Sequence, residues 1–314
     1  MEVALYDPDG GYYTRTDLKR WGREGDYRTS AERSELFAAT FARYFAGLYE
    51  ELGRPAEWTI VEGGAGNQSF ARRVLRELEV QYPPVFAATR YNFNELNAET
   101  KAFLNPSLYF SNELLDAFPV HRLTTAGELY VTLGSDDNFD WTTGSFSTPR
   151  LSAFLDQYSI KLAPGQIIEV NLAADDWLAD LAAKLKHGFV ITVDYGAEQN
   201  ELYDPILRPQ GSLRAFSKHG FVDNVLSAPG EYDITSSVNW TQVKMTGERL
   251  GLEVVEFSSQ DKFLLQAGLL EELERGLKQT KTAADQVRLN TDAKEMILPG
   301  GMASSFQVLV QKRR

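Results

Sequence analysis

The chain has 314 residues and no cysteine, which excludes disulfides, thiolate nucleophiles and cysteine-bound metal clusters. Its 44 acidic and 32 basic side chains give a net charge of −12, which disfavours general binding to the phosphate backbone of nucleic acids. The three histidines are too scattered along the sequence to predict a histidine metal cage. Catalysis would therefore depend on carboxylates, hydroxyls, backbone amides or a bound cofactor.

The sequence carries no recognisable signal for export or membrane insertion. Met1–Gly10 has no basic stretch followed by an apolar run, and no stretch of about 18 apolar residues occurs anywhere in the chain. We therefore expect a soluble, cytoplasmic protein without a membrane span.

Short apolar runs alternate with helical patterns along most of the chain, which is typical of an α/β fold with a mostly parallel sheet. The first predicted elements are helix Glu32–Leu52, strand Trp58–Glu62, helix Ser69–Val80, strand Arg90–Asn94, helix Leu96–Leu104 and strand Leu108–Ser111. The alternation continues with strand Gln166–Val170, helix Asp175–Lys186 and strand Phe189–Asp194. The last of these is apolar and β-branched, as expected of a strand that is buried on both faces.

The pattern changes near the end of the sequence. The predicted elements there are helix Thr241–Leu250, strand Leu252–Phe257, helix Asp261–Lys278 and strand Ser305–Gln311. The two late strands predict an antiparallel edge on the parallel sheet. Residues 120–162 and 197–239 fit no regular alternation, so we interpret them as insertions beside the carboxyl edge of the sheet. We thus expect a tyrosine-rich, helical lid at residues 1–55 and a core at residues 56–314 that carries both insertions.

A glycine-rich turn, EGGAGNQ at residues 62–68, follows the first predicted strand and precedes a helix. Glycines let a backbone turn sharply and approach a ligand closely, and a helix N-terminus offers free amides. The turn lacks the Gly-Lys-Ser/Thr of a P-loop, and Ser69 stands in place of the third glycine of the dinucleotide fingerprint. Taken alone, the motif fits a ligand site and a tight structural turn equally well.

Acidic residues follow the second and third predicted strands. Glu95 lies where a carboxylate commonly accepts hydrogen bonds from ribose hydroxyls, although an acid also favours the start of a helix. Glu113 and Asp116 are three residues apart and would project to one side if residues 111–119 were helical. They could then hold a cationic substrate or accept a proton. The alternative is a capped turn, in which Asn112 is the cap and Pro119 the stop.

Two more motifs have both a structural and a functional interpretation. Asp194 ends the predicted strand Phe189–Asp194 and either faces the same crevice or caps the following turn. Thr29 and Ser30 precede the first long helix, where their hydroxyls either cap that helix or contact a ligand.

Together and in order, these motifs resemble the MidA-type (DUF185) class I S-adenosylmethionine-dependent methyltransferases, whose mitochondrial member is an assembly factor of respiratory complex I. The resemblance covers almost the whole chain. The matching blocks are ALYDP and GYY at residues 4–13, GDYRTSAE at 25–32, EGGAG at 62–66, NELLDAFP at 112–119, DYG at 194–196, GSLRA at 211–215 and PGEYDIT at 229–235. Gln68 stands in place of the family's third glycine, and Asn97-Ala98 in place of its Ser-Pro.

The resemblance implies S-adenosylmethionine as the cofactor. It assigns cofactor binding to Thr29, Ser30, Glu62, Gly64, Gly66, Glu95 and Asn112. In this assignment the glycines admit the carboxypropyl group and the sugar, Glu62 anchors the amino group and Glu95 holds the ribose. Thr29 and Ser30 close over the methionine end.

The resemblance also implies protein arginine N-methylation, the activity of the mitochondrial member. A guanidinium stays protonated in water, so such an enzyme must orient it with carboxylates and accept a proton from it. Glu113 and Asp116 are the expected catalytic residues. The alternatives are a small-molecule O- or N-methyltransferase on the same scaffold and a cofactor-binding assembly factor with little catalysis. The expected partner is a protein substrate, for which a respiratory-complex subunit is one candidate, and the chain is either a monomer or a homodimer.

Overall fold

The computed structural model describes residues 1–18, 34–94, 107–217, 220–298 and 305–314. The helices in these ranges are α1 (Glu2–Tyr6), α2 (Glu35–Glu51), α3 (Ser69–Gln81), α4 (Pro83–Ala88), α5 (Pro149–Gln157), α6 (Leu172–Lys184), α7 (Gln199–Leu202), α8 (Trp240–Arg249), α9 (Gln260–Gln266), α10 (Leu269–Gln279) and α11 (Ala283–Ile297). The strands are β1 (Trp58–Gly63), β2 (Thr89–Asn94), β3 (Leu108–Asn112), β4 (His121–Thr124), β5 (Gly127–Leu133), β6 (Phe139–Gly144), β7 (Ile168–Val170), β8 (Gly188–Ala197), β9 (Arg214–Ser217), β10 (Gly220–Val222), β11 (Asp233–Thr235), β12 (Val238–Asn239), β13 (Glu253–Ser259) and β14 (Phe306–Arg313).

The chain divides into two compact units. The first, here called the core unit, comprises Arg28–Leu114, Ala179–Tyr195 and Gly247–Arg314. The second, here called the insert unit, comprises Met1–Tyr27, Leu115–Leu178 and Gly196–Thr246. The N-terminal region predicted as one lid is thus divided, because its first residues belong to the insert unit and α2 belongs to the core unit.

The core unit is built on a sheet of strand order β13-β14-β8-β3-β1-β2. Strands β2, β1, β3 and β8 run parallel, whereas β14 is antiparallel to both β8 and β13. The predicted fold class, a mostly parallel α/β sheet with an antiparallel C-terminal edge, is therefore confirmed. Parallel order places the ends of β1, β2, β3 and β8 along one edge of the sheet, where α/β proteins bind their ligands.

An aromatic cluster fixes helix α2 and helix α3 to one face of this sheet. The α2 helix begins at Ser34, whose Oγ accepts a hydrogen bond from the Phe37 N–H at 3.1 Å. Phe37, Phe41 and Phe45 recur at helical spacing and are fully buried. Phe41 contacts the rings of Phe70 on α3 and Phe110 on β3. This packing anchors the first turn of α3 beside the end of β1.

The insert unit contains two antiparallel sheets. The larger has the strand order β6-β5-β4-β7, and the smaller has the order β10-β9-β11. Apolar residues of β4, α5 and β7, namely Leu123, Leu151, Phe154, Ile168 and Val170, form the core behind the larger sheet. Leu5, Tyr12, Ala215 and Ile234 form the core beside the smaller one. The N-terminal residues therefore pack as part of this unit.

Two predicted elements differ from the structure. The strand predicted at Gln166–Val170 is the shorter β7, and it pairs antiparallel with β4 rather than joining the parallel sheet. The helix predicted at Asp261–Lys278 is broken into α9 and α10, because Gly268 adopts a left-handed conformation with φ of +98°. The α11 helix was not predicted. The whole of the predicted helix Leu96–Leu104 lies outside the described residues.

Among the helices of the described ranges, none combines the length and the apolar character that a membrane crossing needs.

Candidate functional site

The glycine turn of residues 62–68 connects β1 to α3 in the core unit. Gly64 and Gly66 have φ of +67° and +52°, in the left-handed region that glycine adopts without steric cost. The Gly64 N–H donates to the Asn94 carbonyl oxygen at 3.1 Å, which ties the turn to the end of β2. Gln68 has φ of +59° and is the N-cap of α3, although it carries a side chain. The predicted sharp turn between strand and helix is therefore present, and Gln68 preserves a conformation that favours glycine.

The space around the turn also requires glycine. A Cβ atom on Gly63 would lie 2.4 Å from the Tyr109 hydroxyl, closer than such atoms approach in proteins. A Cβ atom on Gly64 would lie 3.1 Å from Cδ1 of Leu114. Ser111 is in register with Gly63 on the neighbouring strand, and its buried hydroxyl has no hydrogen-bond partner among the described residues. The turn thus exposes the backbone of Gly64 and Gly66, and the Ser111 hydroxyl, which has no partner in the described part of the chain, lies on the neighbouring strand.

Glu62 is buried at the end of β1 and bonds to a tyrosine of the next strand. The Tyr91 hydroxyl donates to Oε2 of Glu62 at 2.9 Å. Burial, together with the Glu62 charge, raises the pKa of Tyr91 well above its usual value, so this hydroxyl remains a donor. Tyr91 was not a predicted site residue, because its proximity to Glu62 depends on the register between β1 and β2. The pair presents an oriented carboxylate at the sheet edge.

We expect Tyr91→Phe to weaken S-adenosylmethionine binding roughly three- to tenfold, since a lost neutral hydrogen bond is worth about 1 kcal/mol. Glu62 would keep its charge but lose one donor that orients it. Tyr44→Phe is the matched control, because the Tyr44 hydroxyl bonds to Glu256 instead. Calorimetric titration of both variants measures the effect. Equal affinities for wild type and Tyr91→Phe would contradict the orienting role.

The chain leaves β3 through a turn rather than a helix. Glu113 has φ of +53°, and its N–H donates to the Val193 carbonyl oxygen at 2.9 Å. Asn112 Nδ2 donates to Oε1 of Glu113 at 2.9 Å. The Leu114 N–H donates to Oδ2 of Asp194 at 3.2 Å, and Asp194 also accepts from the Tyr195 N–H. The contacts of Asp194 therefore favour the turn-capping interpretation over a free carboxylate in a crevice.

This turn corrects the expected arrangement of Glu113 and Asp116. The argument that both carboxylates lie on one side of a helix is wrong, because the left-handed Glu113 and the bonds of Glu113 and Leu114 to β8 prevent a helix from starting there. The boundary between the compact units also falls between Leu114 and Leu115. Glu113 therefore belongs to the core unit and Asp116 to the insert unit.

Asp116 lies among tyrosines and a second carboxylate in the insert unit. Its backbone oxygen accepts from the Ser236 N–H at 2.9 Å. Asp233, on β11, is likewise buried and accepts from the Tyr13 hydroxyl at 2.7 Å. Burial raises the pKa of Tyr6, and the negative charges of Asp116 and Asp233 raise it further. Both carboxylates therefore act on Tyr6.

Asp233 was not among the predicted site residues, although its block, residues 229–235, was one of the matching motifs. Thr235 follows it at the alternate position of β11, so both side chains lie on the same face of the strand. The Thr235 hydroxyl is buried and has no hydrogen-bond partner among the described residues. The insert unit thus buries two carboxylates, Asp116 and Asp233, and the Thr235 hydroxyl, and all three side chains carry hydrogen-bond acceptors.

The remaining predicted site residues, Thr29, Ser30 and Glu95, lie outside the described residues. Within the described ranges, no group of three histidines or carboxylates is arranged to hold a metal ion.

The residues of the core unit fit S-adenosylmethionine. Gly64 and Gly66 expose backbone at the start of α3, where the positive end of the helix dipole favours a carboxylate. Glu62 supplies an oriented negative charge for a cationic amino group, and the Ser111 hydroxyl has unused hydrogen-bonding capacity. The assignments of Glu62, Gly64, Gly66 and Asn112 to the cofactor remain predictions that this geometry supports.

Comparison with known proteins identifies the family. A family model described as "Putative S-adenosyl-L-methionine-dependent methyltransferase" matches residues 40–104 and 94–258. The Drosophila melanogaster mitochondrial protein arginine methyltransferase NDUFAF7 homolog is 24% identical over 307 residues, which cover 80% of this chain and 66% of that protein. Human mitochondrial protein arginine methyltransferase NDUFAF7 is 22% identical over 295 residues, which cover 78% of this chain and 63% of that protein. The chain thus spans less than two thirds of the length of these relatives.

A solved structure that contains a bound ligand supports the same family assignment. A Burkholderia thailandensis protein, crystallised with S-adenosyl-homocysteine bound, matches this chain with a TM-score of 0.82 and 25% identity. The match covers 99% of this chain and 86% of that one. The chain therefore belongs to the family of S-adenosyl-L-methionine-dependent methyltransferases, and its cofactor is S-adenosylmethionine.

Proposed function

We propose that this methyltransferase transfers a methyl group to the guanidinium of an arginine in a protein substrate. The observation that carries the proposal is the similarity, over 80% and 78% of the chain, to relatives named protein arginine methyltransferases. The family resemblance makes a respiratory-complex subunit the first protein substrate to test.

The buried carboxylates of the insert unit support an arginine guanidinium as the group that receives the methyl. A guanidinium is a planar cation with five N–H donors and no acceptor, so it requires negative, acceptor-only partners. Asp116 and Asp233 are such partners, and the Thr235 hydroxyl can accept one more hydrogen bond.

Proton transfer is the second requirement that these side chains meet. When bound, S-adenosylmethionine supplies an activated methyl group. The guanidinium nitrogen that gains a methyl group must release a proton, and a carboxylate oxygen of Asp116 or Asp233 is the proposed acceptor. Glu113 remains a predicted catalytic residue, with its carboxylate held by the Asn112 amide. Holding the guanidinium in one orientation lowers the entropic part of the barrier.

The test is methyl-label transfer from labelled S-adenosylmethionine into two matched peptides. One peptide contains a central arginine, and the other has lysine at the same position. We expect label in the arginine peptide alone, and mass spectrometry should place the added methyl groups on the guanidinium. Transfer into the lysine peptide, or into small molecules of a cell extract but no peptide or protein, would refute the proposal. Cofactor binding without any transfer would favour an assembly factor.

A further inference from the structure

An apolar strip lies on the exposed face of the hairpin formed by β5 and β6. Leu133 pairs with Phe139, and Val131 pairs with Trp141, across the two antiparallel strands. Residues that alternate along a strand share a face, so these four side chains lie together. Leu133, Phe139 and Val131 are 60%, 44% and 47% exposed. We call this set the hairpin strip.

The hairpin strip is unusual because the opposite face of the same sheet already forms the core at β4 and β7. Leu123 on β4 pairs with Glu128, and together with Ile168 on β7 it faces the buried side. An antiparallel sheet with one buried face normally places polar side chains on the other. Contiguous exposed apolar side chains, in contrast, mark sites of interaction.

The strip is also held in a defined geometry. The Arg122 guanidinium stacks over the Trp141 ring at 4.7 Å. Arg122 in turn donates to Oε1 of Glu169 and to the Gln210 carbonyl oxygen, each at 3.1 Å. A surface whose aromatic side chain is fixed in this way loses little conformational entropy when a partner binds.

The charge around the strip indicates the chemistry of the partner. No lysine or arginine occurs between Arg122 and Arg150, whereas Asp136, Asp137 and Asp140 lie at the hairpin end. Hydrogen bonds from the Asn138 side chain and backbone lower the pKa of the exposed Asp136, so it stays negative at neutral pH. A cationic partner is therefore favoured, because opposite charges steer association and like charges oppose it.

The position of β6 in the sheet indicates the conformation of the partner. In the order β6-β5-β4-β7, β6 has a neighbour on one side only within the described residues. The backbone N–H and C=O groups of such an edge strand can form hydrogen bonds with an added extended segment. In this mode of binding, alternate side chains of the added segment provide the specificity.

We propose that the hairpin strip binds an extended, basic segment of the protein substrate, with its apolar residues on the strip and its cationic residues beside Asp136 and Asp137. This inference rests on the proposed function, which requires a protein that presents arginine. A second copy of the chain fits less well, because it would bring the same three aspartates to the contact. An anionic membrane is disfavoured for the same reason.

The test uses a fluorescein-labelled synthetic peptide of eight residues, alternating arginine and valine, and measures its binding by fluorescence anisotropy. The double variant Leu133→Ser/Phe139→Ser should weaken binding at least tenfold. Its matched control is Ile206→Ser/Leu207→Ser, which removes two apolar side chains that are 86% and 68% exposed elsewhere in the same unit. The control should bind as wild type does. Asp136→Asn/Asp137→Asn should weaken binding and reduce its dependence on salt.

Several results would overturn the proposal. These are no binding of the peptide to the wild-type chain, equal binding by the hairpin variant, and equal losses in the hairpin and control variants. Equal binding of a peptide with glutamate in place of arginine would also overturn it. A dimer in sedimentation, or pelleting with phosphatidylserine vesicles, would do so if Leu133→Ser/Phe139→Ser abolished it, because a different partner would then occupy the strip.

The same peptide separates this inference from the proposed function. Binding through the strip without methylation in the presence of S-adenosylmethionine would refute the proposed function and leave the docking surface intact. Methylation that proceeds equally in the hairpin variant, with unchanged peptide affinity, would refute the docking surface and leave the proposed function intact.

Discussion

Gly64→Val is expected to weaken S-adenosylmethionine binding about a hundredfold, or roughly 3 kcal/mol, while the chain remains folded. Valine is strongly disfavoured at the φ of +67° that Gly64 adopts. Its Cβ would also lie 3.1 Å from Cδ1 of Leu114, and its methyl groups would extend further into this contact. The left-handed conformation costs roughly 1–2 kcal/mol and overpacking about 1–3 kcal/mol, so the turn is expected to move.

Gly53→Val separates the loss of the binding site from simple backbone strain. Gly53 has φ of +78°, but no atom lies within 4 Å of the position of its Cβ. Both variants should lose stability in thermal unfolding, whereas only Gly64→Val should lose the cofactor in calorimetry. Wild-type affinity in Gly64→Val, or an equal loss in Gly53→Val, would show that the glycine turn does not form the cofactor site.

Asp116→Asn and Asp233→Asn are each expected to lower the rate of methyl transfer to an arginine peptide by about 10²- to 10⁴-fold. Asparagine keeps the size and one acceptor oxygen, so the hydrogen bond from Tyr13 to residue 233 can persist. It removes the negative charge that would hold a guanidinium and accept its proton. The affinity for S-adenosylmethionine should stay within about twofold of wild type, since these residues do not belong to the glycine turn.

Asp156→Asn is the control, because Asp156 is an exposed carboxylate on α5 of the same unit. It should leave both turnover and cofactor affinity unchanged. The double variant of Asp116 and Asp233 should lose little more than the worse single variant, since residues that act together in catalysis are not additive. Full turnover by both single variants would remove these carboxylates from the mechanism. Glu113→Gln tests the third predicted carboxylate in the same assay.

The parallel strands could be predicted because strands that are buried on both faces consist mainly of apolar residues. Strands β1, β3 and β8 are short runs of apolar residues with high strand propensity, and turns or helices flank each run. β7 has the same appearance, yet it belongs to a different sheet. Local composition indicates that a strand is buried, but it carries no information on which strand becomes its neighbour.

The residues of the candidate site could be predicted only where they occur together in one segment of the chain. Glu62, Gly64 and Gly66 occur in one continuous turn, so a motif reveals them. Tyr91 and Asp233 contact residues that are far away in sequence. No spacing in the sequence predicts those contacts. The expectation that Glu113 and Asp116 project from one side of a helix failed for another reason, since it assumed helical dihedral angles that Glu113 does not adopt.

Gln68 shows what this kind of site requires of a sequence. The family resemblance implies glycine at this position, yet the glutamine occupies the left-handed region at the start of α3. The fold at this position therefore requires a left-handed dihedral angle, and in this chain a glutamine adopts it. A description of the turn in terms of backbone conformation would include Gln68, which a glycine pattern overlooks.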